Sequence, residues 1–256
     1  AFDEGDLPRG PGAAWLRATS VTSREAYEDL FAAAGPARAI GEASPRYLLS
    51  PSAPGRIRAA IPNAKLVAIL RHPVERAHAN YLAYRRDGYD RAPSFEAALA
   101  DQERRRSRGE AFGAFVDFGF YHHQLARYDA LFPQRQLRIY LFEDLVQDPA
   151  GLLRDLLAFL DVDPEWTPGP IPQRGRTGLV RNPLLAALWR SSGRGRLLLG
   201  PWLPKAWRER AYASWMRDLA KPEMRPESRA ALLRLYRDDT LALQQRLGRD
   251  LSAWLR

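Results

Sequence analysis

Two apolar runs, too short for helices and bounded by turns, frame this chain. The first, Lys65–Leu70 in "IPNAKLVAILR", follows a Pro-Asn turn, and the second lies in "QLRIYLFEDL", 136–145. Continuous rather than alternating apolarity predicts strands buried on both faces, as in a parallel sheet. Around them, apolar positions recur at helical spacing. "SREAYEDLFAAAG" has Ser23 as N-cap, a stripe through Ala26, Tyr27, Leu30 and Phe31, and Gly35 as a stop. "ARAIGEASPRYLLS" predicts a short strand or extended entry ending at a Gly-Glu turn, and "IRAAIP" the end of a helix.

A helix from Pro73 follows the first strand, with Val74, Ala77, His78 and Tyr81 inward and His72, Arg76 and Ala79 near the opposite face. After a Gly88/Pro93 loop, another helix begins at Ser94 and runs into the charged "DQERRRSRGE", read as a solvated helix end. "FYHHQLARYDALFP" places Tyr121, Leu125, Tyr128 and Leu131/Phe132 on one helical face. Asp148 and Pro149 open the helix of "DPAGLLRDLLAFLDV" as N-cap and first residue. Helix, strand, helix, strand, helix in this order predicts an α/β layered fold with a parallel sheet. A Pro/Gly-rich loop (164–178), a basic Trp-rich segment (180–217) and a helix Pro226–Leu247 follow. The stripe of that helix is Leu232, Leu235/Tyr236, Leu243 and Leu247, with Gly248 past its end. With no internal repeat and no low-complexity linker, residues 1–256 read as one domain whose last third is helical decoration.

Composition narrows the class more than the function. A chain of 256 residues, 46% hydrophobic and 11% aromatic, can bury one sizeable core. No apolar run approaches the roughly 20 residues that span a bilayer, and no secretory pattern opens the chain, so a cytoplasmic protein is expected. Zero cysteines exclude disulfides and thiolate metal sites, and four histidines leave little for a structural zinc; no metal is expected. The net charge of +9 asks for an anionic partner. Only Lys65, Lys205 and Lys221 of the 39 basic residues are lysines, however, a skew that fits a GC-rich coding sequence. Basicity alone therefore says little about nucleic acid.

Three short segments could carry chemistry. In "LRHPVERAHANY", Arg71 ends the first strand and Pro73 opens a helix, a junction where unpaired N–H groups and a positive dipole end favour an anion. Ion pairing of Arg71 and Arg76 with Glu75 or other carboxylates near the surface is equally compatible with that junction. "GEASPRYL" holds Glu42 on a turn restrained by Pro45, a base or merely a capping acid. "QRGRTG" brings Arg174, Gly175 and Arg176 into one loop, either a phosphate grip or a solvated basic loop.

Taken in order with "GFYHHQLARYDALFPQRQLRIYLFEDLVQDP" and "LGRDLSAWL", these segments resemble the sulfotransferases that use 3′-phosphoadenosine 5′-phosphosulfate (PAPS). In character they are most similar to the bacterial branch that resembles heparan sulfate sulfotransferases. The resemblance covers nearly the whole chain and is weakest over 180–225. It implies a P-loop-NTPase-like parallel sheet flanked by helices. It further implies sulfuryl transfer from PAPS to a hydroxyl, with an amine as second choice, of a carbohydrate or small metabolite, leaving 3′-phosphoadenosine 5′-phosphate (PAP). On that resemblance Arg71 and the side chain at 79 bind the 3′-phosphate, Glu42 is the general base, and Arg174, Gly175 and Arg176 close over the nucleotide phosphates. Such a transfer depends on positioning and cationic stabilisation more than on covalent chemistry.

Two departures qualify the resemblance. Position 79, a serine in the family, is Ala79, and losing one hydroxyl contact to a phosphate costs roughly 1.5–3 kcal/mol. The family's opening Pro-[Lys/Arg]-x-Gly-Thr-Thr loop has no counterpart here, so the first strand and its phosphosulfate loop are expected upstream of residue 1. An inactive, nucleotide-binding relative is one alternative. A nucleic-acid or acidic-surface binder using Trp189, Trp202, Trp207 and Trp215 among arginines is another, although a helical cover explains those tryptophans better. A serine hydrolase finds no Gly-x-Ser-x-Gly elbow, and a metal hydrolase no ligand spacing.

Overall fold

A computed structural model describes residues 20–108, 115–168, 177–180 and 219–256. In chain order the elements are α1 (Arg24–Asp29), a 3₁₀ turn (Ala32–Ala34), α2 (Ala53–Ala60), β1 (Leu66–Leu70), α3 (Pro73–Arg86), α4 (Phe95–Ala100) and α5 (Gln102–Ser107). A 3₁₀ turn (Asp117–Gly119), α6 (Tyr121–Asp129), a 3₁₀ turn (Gln134–Gln136), β2 (Leu137–Leu141), α7 (Phe142–Gln147) and α8 (Pro149–Phe159) follow. The short strands β3 (Leu179–Val180) and β4 (Leu219–Ala220), the long α9 (Pro226–Leu247) and a 3₁₀ turn (Ser252–Leu255) complete the order.

β1 and β2 pair in parallel, Leu66 opposite Leu137 through Leu70 opposite Leu141, with α3 to α6 in the crossover. This is the expected α/β arrangement. One face of the pair is buried: Leu70 and Leu141 pack with Tyr121, Leu125, Leu243, Leu251 and Trp254. A second cluster gathers Val74, Ala77, Tyr81 and Leu82 of α3 with Phe95, Phe115, Leu232 and Tyr236. Gly119 is required there, since a Cβ on it would lie 2.6 Å from the Tyr236 ring.

Sequence signals and structure part company at identifiable places. β1 is not buried on both faces: Val67 and Ile69 are 41% and 44% exposed, because among the described residues β2 is its sole neighbour and nothing covers that side. β2 ends at Leu141 instead of continuing through "FEDL", because Asp144 reaches back to accept from the Leu141 N–H at 2.9 Å and starts α7. The "ARAIGEASPRYLLS" segment holds no strand, only extended chain and a turn. The helix from Ser94 breaks at Asp101 into α4 and α5, and its charge run is more than a solvated end, since Arg105 reaches the buried Asp90 at 2.6 Å. Leu235 and Leu131, placed on apolar stripes, are exposed. The Trp-rich segment from 181 to 217 lies outside the described residues.

Candidate active site

Arg71 follows the last residue of β1, and Pro73 opens α3 directly after it. The missing N–H of a proline costs nothing at that position, so the chain turns from strand to helix with its orphan N–H groups facing the strand end. Tyr121 at the start of α6 donates to the Arg71 carbonyl at 2.7 Å. The Arg71 guanidinium lies 5.2 Å from the centre of the Phe142 ring, at the carboxyl end of β2. Val74, Ala77, His78 and Tyr81 are buried as their spacing predicts, and Ala79 is half-buried. His72 is not on an open face: it is buried 6.1 Å from Trp254, and burial pushes its imidazole down from the ordinary value.

The Glu75 pairing expected at this junction goes elsewhere. Its carboxylate takes Lys221 at 2.9 Å and Arg229 at 2.7 Å, not Arg71 or Arg76. Burial alone would raise this carboxyl, but hydrogen bonds and charge from Lys221 and Arg229 hold it at about 2. A folded value below the unfolded 4.5 means that the pair stabilises fully above about pH 4.5 and stops doing so as pH falls through about 2. Denaturant titrations from pH 5 to 2 should show Glu75→Gln with a flatter acid limb than the parent. An identical slope would mean the pair does not stabilise the fold.

Glu42 sits on the turn at the far end of α6. Its Oε1 accepts from the Tyr27 hydroxyl at 2.9 Å and from the Tyr47 hydroxyl at 2.6 Å, and the carboxylate is otherwise exposed. Burial and the Glu42 hydrogen bond push the Tyr27 phenol up to about 12 and move Tyr47 in the same direction, so both remain donors at neutral pH. α6 pins the turn from below: Tyr128 donates to the Tyr47 carbonyl at 2.8 Å, and Arg127 to the Leu48 and Leu49 carbonyls at 2.8 and 3.1 Å. One helix thus fixes the Arg71 corner through Tyr121 and the Glu42 turn through Tyr128, about 10 Å apart along its axis. That is of the order of one nucleotide.

α6 has no side-chain cap of its own; Asp239 of α9 supplies one, accepting from the His122 and His123 N–H groups at 3.0 and 3.1 Å. The adjacent histidines therefore serve through their backbone. No group of three or more His, Asp or Glu able to hold a metal occurs among the described residues. No described helix is long and apolar enough to cross a membrane. Tyr27, Tyr47 and the α6 anchors escape sequence reasoning, since nothing periodic links them to Glu42. Arg174, Gly175 and Arg176 lie outside the described residues.

The parallel strand pair flanked by helices is a P-loop-like α/β layout, and the chain is similar in structure to the crystal structure of a sulfotransferase from Alicyclobacillus acidocaldarius. That structure matches with a TM-score of 0.75 at 28% identity, covering 100% of this chain and 84% of that one. The chain belongs to the Sulfotransferase family, which its residues 8–168 match. It is 34% identical over 139 residues to heparan sulfate glucosamine 3-O-sulfotransferase 3B1 of Mus musculus, a match covering 52% of this chain and 34% of that protein. It is 28% identical over 232 residues to the bifunctional heparan sulfate N-deacetylase/N-sulfotransferase 4 of Mus musculus, covering 84% of this chain and 23% of that protein. The chain thus spans about a third or less of the length of these curated relatives.

Proposed function

We propose that this chain transfers a sulfuryl group from PAPS to a hydroxyl of a carbohydrate or small metabolite, leaving PAP and using no metal. The observation that carries the reading is Arg71, a cation at the end of β1 and the mouth of α3 that meets an aromatic ring and, among the described residues, no carboxylate. A 3′-phosphate at this corner would gain charge-assisted hydrogen bonds and the helix dipole together. PAPS would supply the sulfuryl group. Glu42 would take the proton of the acceptor hydroxyl on Oε2, with Oε1 held by Tyr27 and Tyr47. Arg174, Gly175 and Arg176 would close over the phosphates. Family membership supports the reaction, and relatives named for heparan sulfate glucosamine support a carbohydrate acceptor.

Ala79 favours a second reading, a relative that binds nucleotide without turning over. One series separates the two. PAP at about a hundred times its Kd should stabilise the protein by about 2.7 kcal/mol, a melting shift of roughly 5–10 °C. Ala79→Ser should tighten PAP binding by about tenfold to a hundredfold. No shift with PAP defeats both readings, and a shift with no sulfated product from any acceptor leaves only the second.

A further inference from the structure

Two buried histidines stand on either side of Glu75, and the proposed reaction uses neither. His72 at the mouth of α3 is 8% exposed, and His78, one turn beyond Glu75, is 3% exposed. Glu75 influences both rings but is already taken by Lys221, the residue after β4, and by Arg229 of α9. Neither imidazole forms an ion pair among the described residues. Burial pushes both down from their ordinary value, and Arg229 adds to this at His72 as Lys221 does at His78. His72 lies 6.1 Å from the Trp254 ring, and His78 lies 5.0 Å from that of Phe95 on α4. The remaining charged and polar groups are Glu143 of α7 and the Arg256 backbone at His72, and Glu96 of α4 and Arg71 at His78. Glu223 shares a small cavity with His78.

With both rings neutral, one carboxylate answers two cations. With both protonated, four cations share it in a place withdrawn from water, where like charges repel strongly. The neighbouring acids do not remove the conflict. Glu143 accepts from the Trp254 indole N–H at 3.2 Å, and Glu96 accepts at 3.4 Å from the Arg225 N–H and the Ser228 hydroxyl. An imidazolium that drew on either acid would take it from the same C-terminal segment that Lys221 and Arg229 anchor. We propose that His72, Glu75 and His78 form an acid-released latch: protonation of the two imidazoles drives Lys221 and Arg229 off α3, and with them β4, the start of α9 and the Trp254 turn. The far end of α9 stays in place, because Arg246 with Asp129 and Arg249 with Asp144 use no histidine. An imidazole at 6.5 when unfolded and lower when folded makes the contact full above about pH 6.5. The contact is progressively lost below that pH, while Glu75 itself keeps its charge down to about 2. The latch does not depend on the sulfuryl-transfer reading.

The chain has four histidines, so NMR can follow each imidazole of the full chain from about pH 8 to 5, with His72→Gln and His78→Gln assigning two of the signals. Both should titrate below the ordinary 6.5. Hydrogen exchange, corrected for its intrinsic pH dependence, should rise about tenfold or more across residues 219–231 between about pH 7.5 and 5.5. Residues 239–247 should change little over the same range. The double variant His72→Phe with His78→Phe, which keeps a ring at each place, should lose the rise. Where the double variant fails to fold, the two measurements on the parent decide. Ordinary titration of either imidazole, exchange over 219–231 that ignores pH, a rise of equal size over 239–247, or an undiminished rise in a folded double variant would each overturn the latch.

Discussion

Glu42→Gln is expected to lower turnover by about 10²–10⁴-fold while PAP still raises the melting temperature as it does in the parent. Glutamine has nearly the same shape, and its carbonyl oxygen can still accept from Tyr27 and Tyr47, so the turn should hold. What it cannot do is take a proton. The two phenols cannot replace it, because both are pushed above their ordinary range and stay protonated at neutral pH. Single-turnover formation of sulfated product, measured with PAPS saturating, is the decisive readout. Undiminished product formation would remove Glu42 as the base and reduce its hydrogen bonds to a turn-stabilising role.

The largest loss of stability is expected from Asp90→Ala. The Asp90 side chain is 0% exposed, takes Arg105 at 2.6 Å and also accepts from the Ala92 N–H at 2.7 Å. Removing it leaves a guanidinium that is 13% exposed with, among the described residues, only Asp101 at 2.8 Å to answer it. Breaking such a pair from one side costs about 3 kcal/mol, or roughly 6–12 °C in melting temperature for a chain of this size. Replacing both partners, Asp90→Leu with Arg105→Met, should recover most of the loss, since neither charge is then stranded. A single variant that melts within a degree or two of the parent would show that the pair is structurally neutral.

Local chemistry explains which features could be read without coordinates. Pro226 and Gly248 bracket α9, and Gly248 adopts the left-handed conformation (φ 61°) at the expected stop. Pro73 and the Asp148–Pro149 pair mark α3 and α8 in the same way, Asp148 accepting from the Gly151 N–H at 2.8 Å. The placement of Arg71 between strand and helix, and of Glu42 beside a turn, was legible because each stands in a short, ordered motif. What could not be read depends on partners far away in sequence. An apolar run does not say which face is covered, so the open side of β1 was invisible. The Asp90–Arg105 pair, the Asp239 cap on α6 and the approach of Arg46 and Arg76 to Phe118 leave no periodic trace. Asp144 is the exception: an acid three residues after Leu141 is a helix-start signal that marks where β2 must end.

The packing of Leu243, Leu251 and Trp254 beneath Leu70 and Leu141 has a consequence during synthesis. β1 and β2 can pair as soon as both have left the ribosome, but their apolar underside is covered only by Tyr121 and Leu125 of α6 until α9 and the turn beyond it emerge. Roughly 100 residues separate β2 from that cover, which at about 5–20 residues per second is a delay of about 5–20 s. Through that interval the nascent chain carries a strand pair whose apolar face is only partly covered. Because Trp254 also packs against His72 beside Arg71, translation that stops short of Trp254 would release a chain with the junction of β1 and α3 incompletely packed.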